Sequence, residues 1–233
     1  MTPAFEARGT EGARWRAAFP THLAADVLAA QAVLPLRRAT AWTARDATLS
    51  PDSIDSRRRP RGIVVDGEPV VIPYRLYTDQ GYVPATLQQQ LTPTQRTILD
   101  CIYTRHHDGH LRQAYLRKVI DSTESWVVPF VIQMVGEYVV QIMVDIWKSL
   151  DEPTYPNSAR ARAYTEFVRA NAGFMELTTQ RVHSYWDCYF RRQYLSRDHS
   201  PGYALLARLP ADSTAKVPFR PQRCSAVRSI TPE

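Results

Sequence analysis

The sequence predicts a mainly α protein, an irregular helical bundle led by a β-hairpin. Three observations predict it. From Thr92 onward, apolar residues recur at helical spacing behind good capping residues. Just before them, two β-branched runs flank Asp66-Gly67, the strongest short hairpin signal. A hydrophobic content of 44% over 233 residues suffices for one core of ordinary domain size. The chain then divides into a poorly ordered basic arm (1–62), a helical domain (63–195) and a loosely packed tail (196–233).

The arm is rich in Ala, Arg, Pro and Ser, and ends in the run Arg57-Arg58-Arg59-Pro60-Arg61. One helix fits Arg14 to Leu36, with Trp15, Phe19, Leu23, Val27 and Leu28 at near-helical spacing and Pro20 inside it. The hairpin occupies 63–77, where Pro69 and Pro73 confine the second strand to an edge. Thr92-Pro93-Thr94-Gln95 starts a helix whose apolar face is Ile98, Leu99, Ile102 and Tyr103. Asp108 starts the next, with Leu111, Tyr115, Leu116 and Val119 inward. Ser122 to Ser125 is a turn, and Pro129 sits in the first turn of the following helix, where it is tolerated. Pro153 to Ser158 reads as a linker. Helices follow at about 158–170 and 174–194, separated by the stop Asn171-Ala172-Gly173.

Composition limits the function classes. The formal charge of +6 permits nucleic acid or an anionic surface as partner without requiring either. Three cysteines at wide spacing form no CxxC pair, so neither a zinc knuckle nor a redox dithiol is supported. No GxSxG, P-loop or dinucleotide fingerprint occurs, and no cofactor is expected. Without a signal peptide the protein is expected to be cytoplasmic, and its arginine and alanine content fits a GC-rich bacterial genome.

Three groups could carry chemistry. His106, His107 and His110 surround Asp108-Gly109, so a cap or loop role is preferred to a metal site. Gln133, Glu137, Gln141 and Asp145 recur every four residues. In one continuous helix they form the solvent edge of a nearly buried element. They also make a membrane span costly. Glu176, Gln180, His183, Asp187 and Arg191 form a second strip, in which His183 and Asp187 are spaced to pair. If the strips face each other, Glu137, His183 and Asp187 would make a catalytic or metal-binding pocket. A Cys188–His183 nucleophile pair is disfavoured, because no Gly-rich turn supplies an oxyanion hole. Tyr185, Trp186, Tyr189, Phe190 and Tyr194 are most simply core. With Arg181, Arg191, Arg192 and Arg197 they could also form a contact surface.

The run Asp108-Gly109-His110-Leu111-Arg112-Gln113-Ala114, followed by Val128-Pro129-Phe130-Val131-Ile132, resembles a HEAT-like repeat. The resemblance covers about 105–150, roughly one and a half units, within what looks like an uncharacterised bacterial family. It implies a short HEAT-like α-hairpin array that binds partners without doing chemistry. In that frame the helix breaks at Gly136-Glu137, and Arg112 reaches back towards Asp108. The expected function is therefore a non-catalytic module that binds a protein partner through Arg181, Tyr189, Arg191 and Arg192, with Arg58 and Arg59. The alternatives are a small enzyme or metalloprotein using Glu137, His183 and Asp187, and a nucleic-acid-binding protein using the arginines.

Overall fold

A computed structural model describes residues 14–35, 62–78, 81–151 and 156–209. Arg58 and Arg59 lie outside these residues. The protein is mainly helical with one two-stranded antiparallel sheet.

Strands β1 (Ile63–Val65) and β2 (Glu68–Val70) pair with Val65 opposite Glu68. The two-residue loop between them places Asp66 at φ 52° and Gly67 at φ 80°. Positive φ at both positions is the primed hairpin turn, whose twist matches that of the strands. The rest of the ribbon is tied down by neighbours. Val71 N–H donates to the Ala17 carbonyl at 2.7 Å. On the β1 edge, Asn171 Oδ1 accepts from Val64 N–H at 2.7 Å while its Nδ2 donates to the Val64 carbonyl at 2.9 Å. Nδ2 also donates to the Phe167 carbonyl. Asn171 does more than end one helix: its buried amide stands in for a strand neighbour.

The helices are α1 (Ala24–Ala32), α2 (Ala85–Gln88), α3 (Pro93–Tyr103), α4 (Gly109–Val119), α5 (Val128–Val135), α6 (Val140–Leu150), α7 (Ala159–Ala170), α8 (Ala172–Tyr185) and α9 (Pro201–Arg208). Thr92 and Gln95 form a full capping box on α3. Asp108 Oδ1 caps α4 by accepting from His110 N–H at 2.7 Å. The apolar run is not one continuous helix, because α5 stops at Gly136 and α6 begins at Val140. Gln133 and Glu137 are buried, Gln141 is exposed and Asp145 pairs with Arg117, so the four do not form one solvent edge.

Two segments expected to be loose belong to the core. Trp15, Phe19, Leu23, Val27, Ala30 and Leu34 are all buried, and Phe19 stacks on Phe130 at 5.0 Å. Pro20 separates the Trp15 turn from α1 rather than lying within a helix. At the other end, Leu205 and Leu209 are buried and α9 packs on α6. A Cβ on Gly202 would meet Val182 at 2.9 Å and Met143 at 3.1 Å, so that contact needs a glycine. One physical reason covers both: short, proline-interrupted apolar segments gain their burial from distant partners that local spacing does not reveal.

Asn171 gives a direct test. Replacing it with Ala removes three hydrogen bonds and strands buried backbone groups, at a cost of about 2 kcal/mol or more in urea unfolding. Hydrogen exchange at Val64 should accelerate selectively.

Candidate functional site

The Glu137 carboxylate joins four separate parts of the chain. Its own segment is the break between α5 and α6. The second part is the strand-like run after the hairpin, where Leu76 N–H donates to the Arg105 carbonyl and His107 N–H donates to the Leu76 carbonyl. This parallel bridge sets Arg75 beside Arg105, which lies in the third part, the α3–α4 loop. The fourth is α4, which supplies Arg112.

Arg75 makes a bidentate pair with Glu137, Nη1 to Oε1 and Nη2 to Oε2, both at 2.8 Å. Arg105 Nη1 reaches Oε1 at 3.4 Å, and Arg112 Nη2 reaches Oε2 at 3.4 Å. The remaining hydrogen bonds of these arginines go to neutral groups. Arg105 donates to the Tyr74 carbonyl at 2.7 Å, and Arg112 to the His106 and His107 carbonyls, each at 2.9 Å. Arg112 therefore reaches the carbonyls of the loop and Glu137 rather than Asp108, whose carboxylate caps its own helix. Side-chain exposure is 1% for Arg105 and Arg112, 6% for Glu137 and 10% for Arg75.

Burial alone would raise the Glu137 carboxyl, but Arg105, Arg75 and Arg112 outweigh it and hold it below the usual carboxylate value. Burial pulls Arg105 down to about 9 against the opposing pull of Glu137, and the like charges of Arg75, Arg112 and Arg181 add to the shift. A carboxylate already ionised and clasped by guanidiniums is poorly placed to move protons near neutral pH.

The histidines act locally. His106 Nδ1 accepts from Asp108 N–H at 3.0 Å, which leaves Nε2 to donate to Thr78 Oγ1 at 3.1 Å. Its ring lies parallel to Tyr103 at 5.7 Å. Burial, with His107 as a lesser cause, lowers it to about 4. His107 stacks on Tyr77, and His110 is exposed. Among the described residues no group of three or more His, Cys, Asp or Glu side chains could hold a metal ion.

The three residues of the alternative pocket, Glu137, His183 and Asp187, take different partners. Glu137 holds the arginines. Exposed His183 pairs through Nδ1 with the Tyr203 hydroxyl, and Asp187 pairs with Arg191 at 3.4 Å. The expected His183–Asp187 pair does not form, and α8 gives way to a π turn over Trp186–Phe190.

The expected contact surface is partly core and partly exposed. Trp186 and Tyr194 are buried, and Trp186 Nε1 donates to the Tyr194 carbonyl at 3.1 Å. Tyr138, Tyr185 and Tyr189 follow one another with ring centroids 6.2 and 6.0 Å apart. Tyr189 is 68% exposed and Leu195 87%. Arg191 and Arg192 are exposed beside them, whereas Arg181 is half-buried with its stem over Gly136. No helix among the described residues is long and apolar enough to cross a membrane.

Sequence reasoning singled out Glu137 but missed Arg75 and Arg105. They lie 62 and 32 residues from it, and no local spacing signals such a pairing.

Two outcomes check this account. Glu137→Gln leaves three buried guanidiniums without their carboxylate, at a cost of about 3–5 kcal/mol in chemical unfolding. His106 is held neutral in the fold, about 4 against 6.5. Its contribution is therefore complete above pH 6.5 and is lost as pH falls towards 4. Asp100, raised to about 6 by burial, works in the opposite direction over the same range. The readout is thus the difference between wild type and His106→Asn, which should narrow as pH falls from 6.5 to 4.

No family model matches the sequence, and searches of curated proteins and of solved structures find no match.

Proposed function

We propose that this protein is a non-catalytic interaction module that binds a protein partner through its basic, aromatic surface. The observation that carries this reading is the row Tyr138–Tyr185–Tyr189, whose last member is exposed in a segment that also exposes Arg191, Arg192 and Leu195. Tyrosine and arginine are the residues most enriched where interfaces gain their energy. Large apolar groups left exposed in series are unusual without a partner. The resemblance of residues 105–150 to a HEAT-like repeat points the same way, since such repeats bind partners. The clasped, ionised state of Glu137 weighs against turnover at that residue.

A second reading, nucleic-acid binding, draws on a specific arrangement. Arg191 and Arg197 lie 5.5 and 5.3 Å from the Trp186 ring centroid, so cations and aromatic surface are interleaved.

The test begins with capture from a native-host lysate and continues with the captured protein in purified form. Tyr189→Ser combined with Arg191→Glu should weaken its binding at least tenfold, while Arg162→Glu, on exposed α7 surface, should leave it unchanged. Equal binding by the double variant would sink the proposed surface. In parallel, a labelled single-stranded oligonucleotide is titrated at rising salt. A steep linear fall of log affinity with log salt would favour the second reading instead.

A further inference from the structure

The charges around Glu137 do not balance. Arg75, Arg105 and Arg112 face one carboxylate, and their other hydrogen bonds go to backbone carbonyls and the Met134 sulfur. Nε of Arg112, in a side chain 1% exposed, is buried without a hydrogen-bond partner. Arg181 brings a fourth positive charge. Its stem lies over Gly136, where an added Cβ would meet the Arg181 Cδ at 3.2 Å, and its guanidinium makes no hydrogen bond among the described residues. Asp108 is the nearest further acid in sequence, but it caps α4 at the surface. Among the described residues, four guanidiniums against one carboxylate leave an excess of about three positive charges, most of it removed from water, a costly state without a counter-ion.

The solvent-facing edge of this cluster has its own chemistry. Arg75 is the most exposed of the three paired arginines and lies over the Tyr74 ring at 4.6 Å. Tyr138 is half-exposed, with Arg112 5.7 Å from its ring centroid. Tyr185 packs against Tyr138 and lies within electrostatic reach of Arg75, Arg181 and Glu137. Arg75, the Arg181 stem, Tyr138 and Tyr185 thus lie along one edge of a fixed positive interior.

We propose that this edge, formed by Arg75, Arg181, Tyr138 and Tyr185 over the Glu137 cluster, is a binding site for a phosphoryl dianion. A dianion fits better than a carboxylate, because it offsets two of the three excess charges. Its three oxygens also suit planar guanidinium donors and tyrosine hydroxyls. The site shares Tyr138 and Tyr185 with the proposed protein-binding surface but rests on charge balance, so either can fail alone.

The test is calorimetric titration of the full chain at fixed ionic strength, with inorganic phosphate, O-phosphotyrosine and, as a monoanion, acetate. Phosphate should bind saturably and at least tenfold more tightly than acetate. Arg181→Gln, which removes no hydrogen bond among the described residues, should weaken phosphate at least tenfold with a melting temperature no lower than wild type in phosphate-free buffer. Arg162→Gln should match wild type. Tighter binding of O-phosphotyrosine than of phosphate would assign the site to a phosphoester docked on the tyrosines; the reverse would assign it to the free ion. Absence of saturable phosphate binding, an equal response to acetate, or wild-type affinity in Arg181→Gln would each overturn the proposal. Loss of phosphate binding in Arg181→Gln with partner binding intact separates this site from the surface around Tyr189.

Discussion

The Glu137 carboxylate is the constraint on which the arrangement of the other elements depends. It sits in the interruption between α5 and α6 and accepts guanidiniums from the post-hairpin segment, the α3–α4 loop and α4. None of those segments is held there by regular secondary structure alone. The bridge between Leu76 and His106 is a single isolated pairing. Burying a carboxylate costs several kcal/mol, and such a group persists only when its partners are complete. That condition makes the cluster selective for geometry: a shift of the α5–α6 break or of the bridge by one residue would strand a charge.

Around this point the core is conventional. Phe19, Trp126 and Phe130 pack together from the N-terminal segment and the α5 entry, and Tyr103 and Tyr115 stack between α3 and α4. A second polar knot closes the far end of α6, where Arg160 pairs with Asp121 and donates to the Ser149 carbonyl. Both knots use arginine, whose five fixed donors can satisfy loop carbonyls and a carboxylate together. Lysine could not do this, and the sequence contains only three.

What was legible in the sequence was local. The primed turn at Asp66-Gly67, the capping box at Thr92 and the Asp108 cap follow from short-range chemistry, and the structure has all three. The break at Gly136 does not follow from periodicity, which alone favours one long helix there. Glu137 stood out as a charge in an apolar run. Its meaning did not, since the arginines that explain it come from elsewhere in the chain. The burial of Trp15 and Leu205 was hidden in the same way, and Asn171, read as a helix stop, gave no sign of its role in the hairpin. His183 and Asp187 do not pair, because His183 meets the Tyr203 hydroxyl from another helix and Asp187 meets Arg191 four residues on.

Asn171 has a wider consequence. A two-stranded ribbon has two outer edges, and each can recruit a strand from another molecule. Here one edge meets the side-chain amide of Asn171 and the other continues into a backbone contact with Ala17. The ribbon offers little template for intermolecular pairing, although its Ile-Val-Val and Val-Val-Ile runs have the composition of an aggregation-prone strand. One asparagine from the helical part of the fold thus covers an open strand edge as well as placing the hairpin.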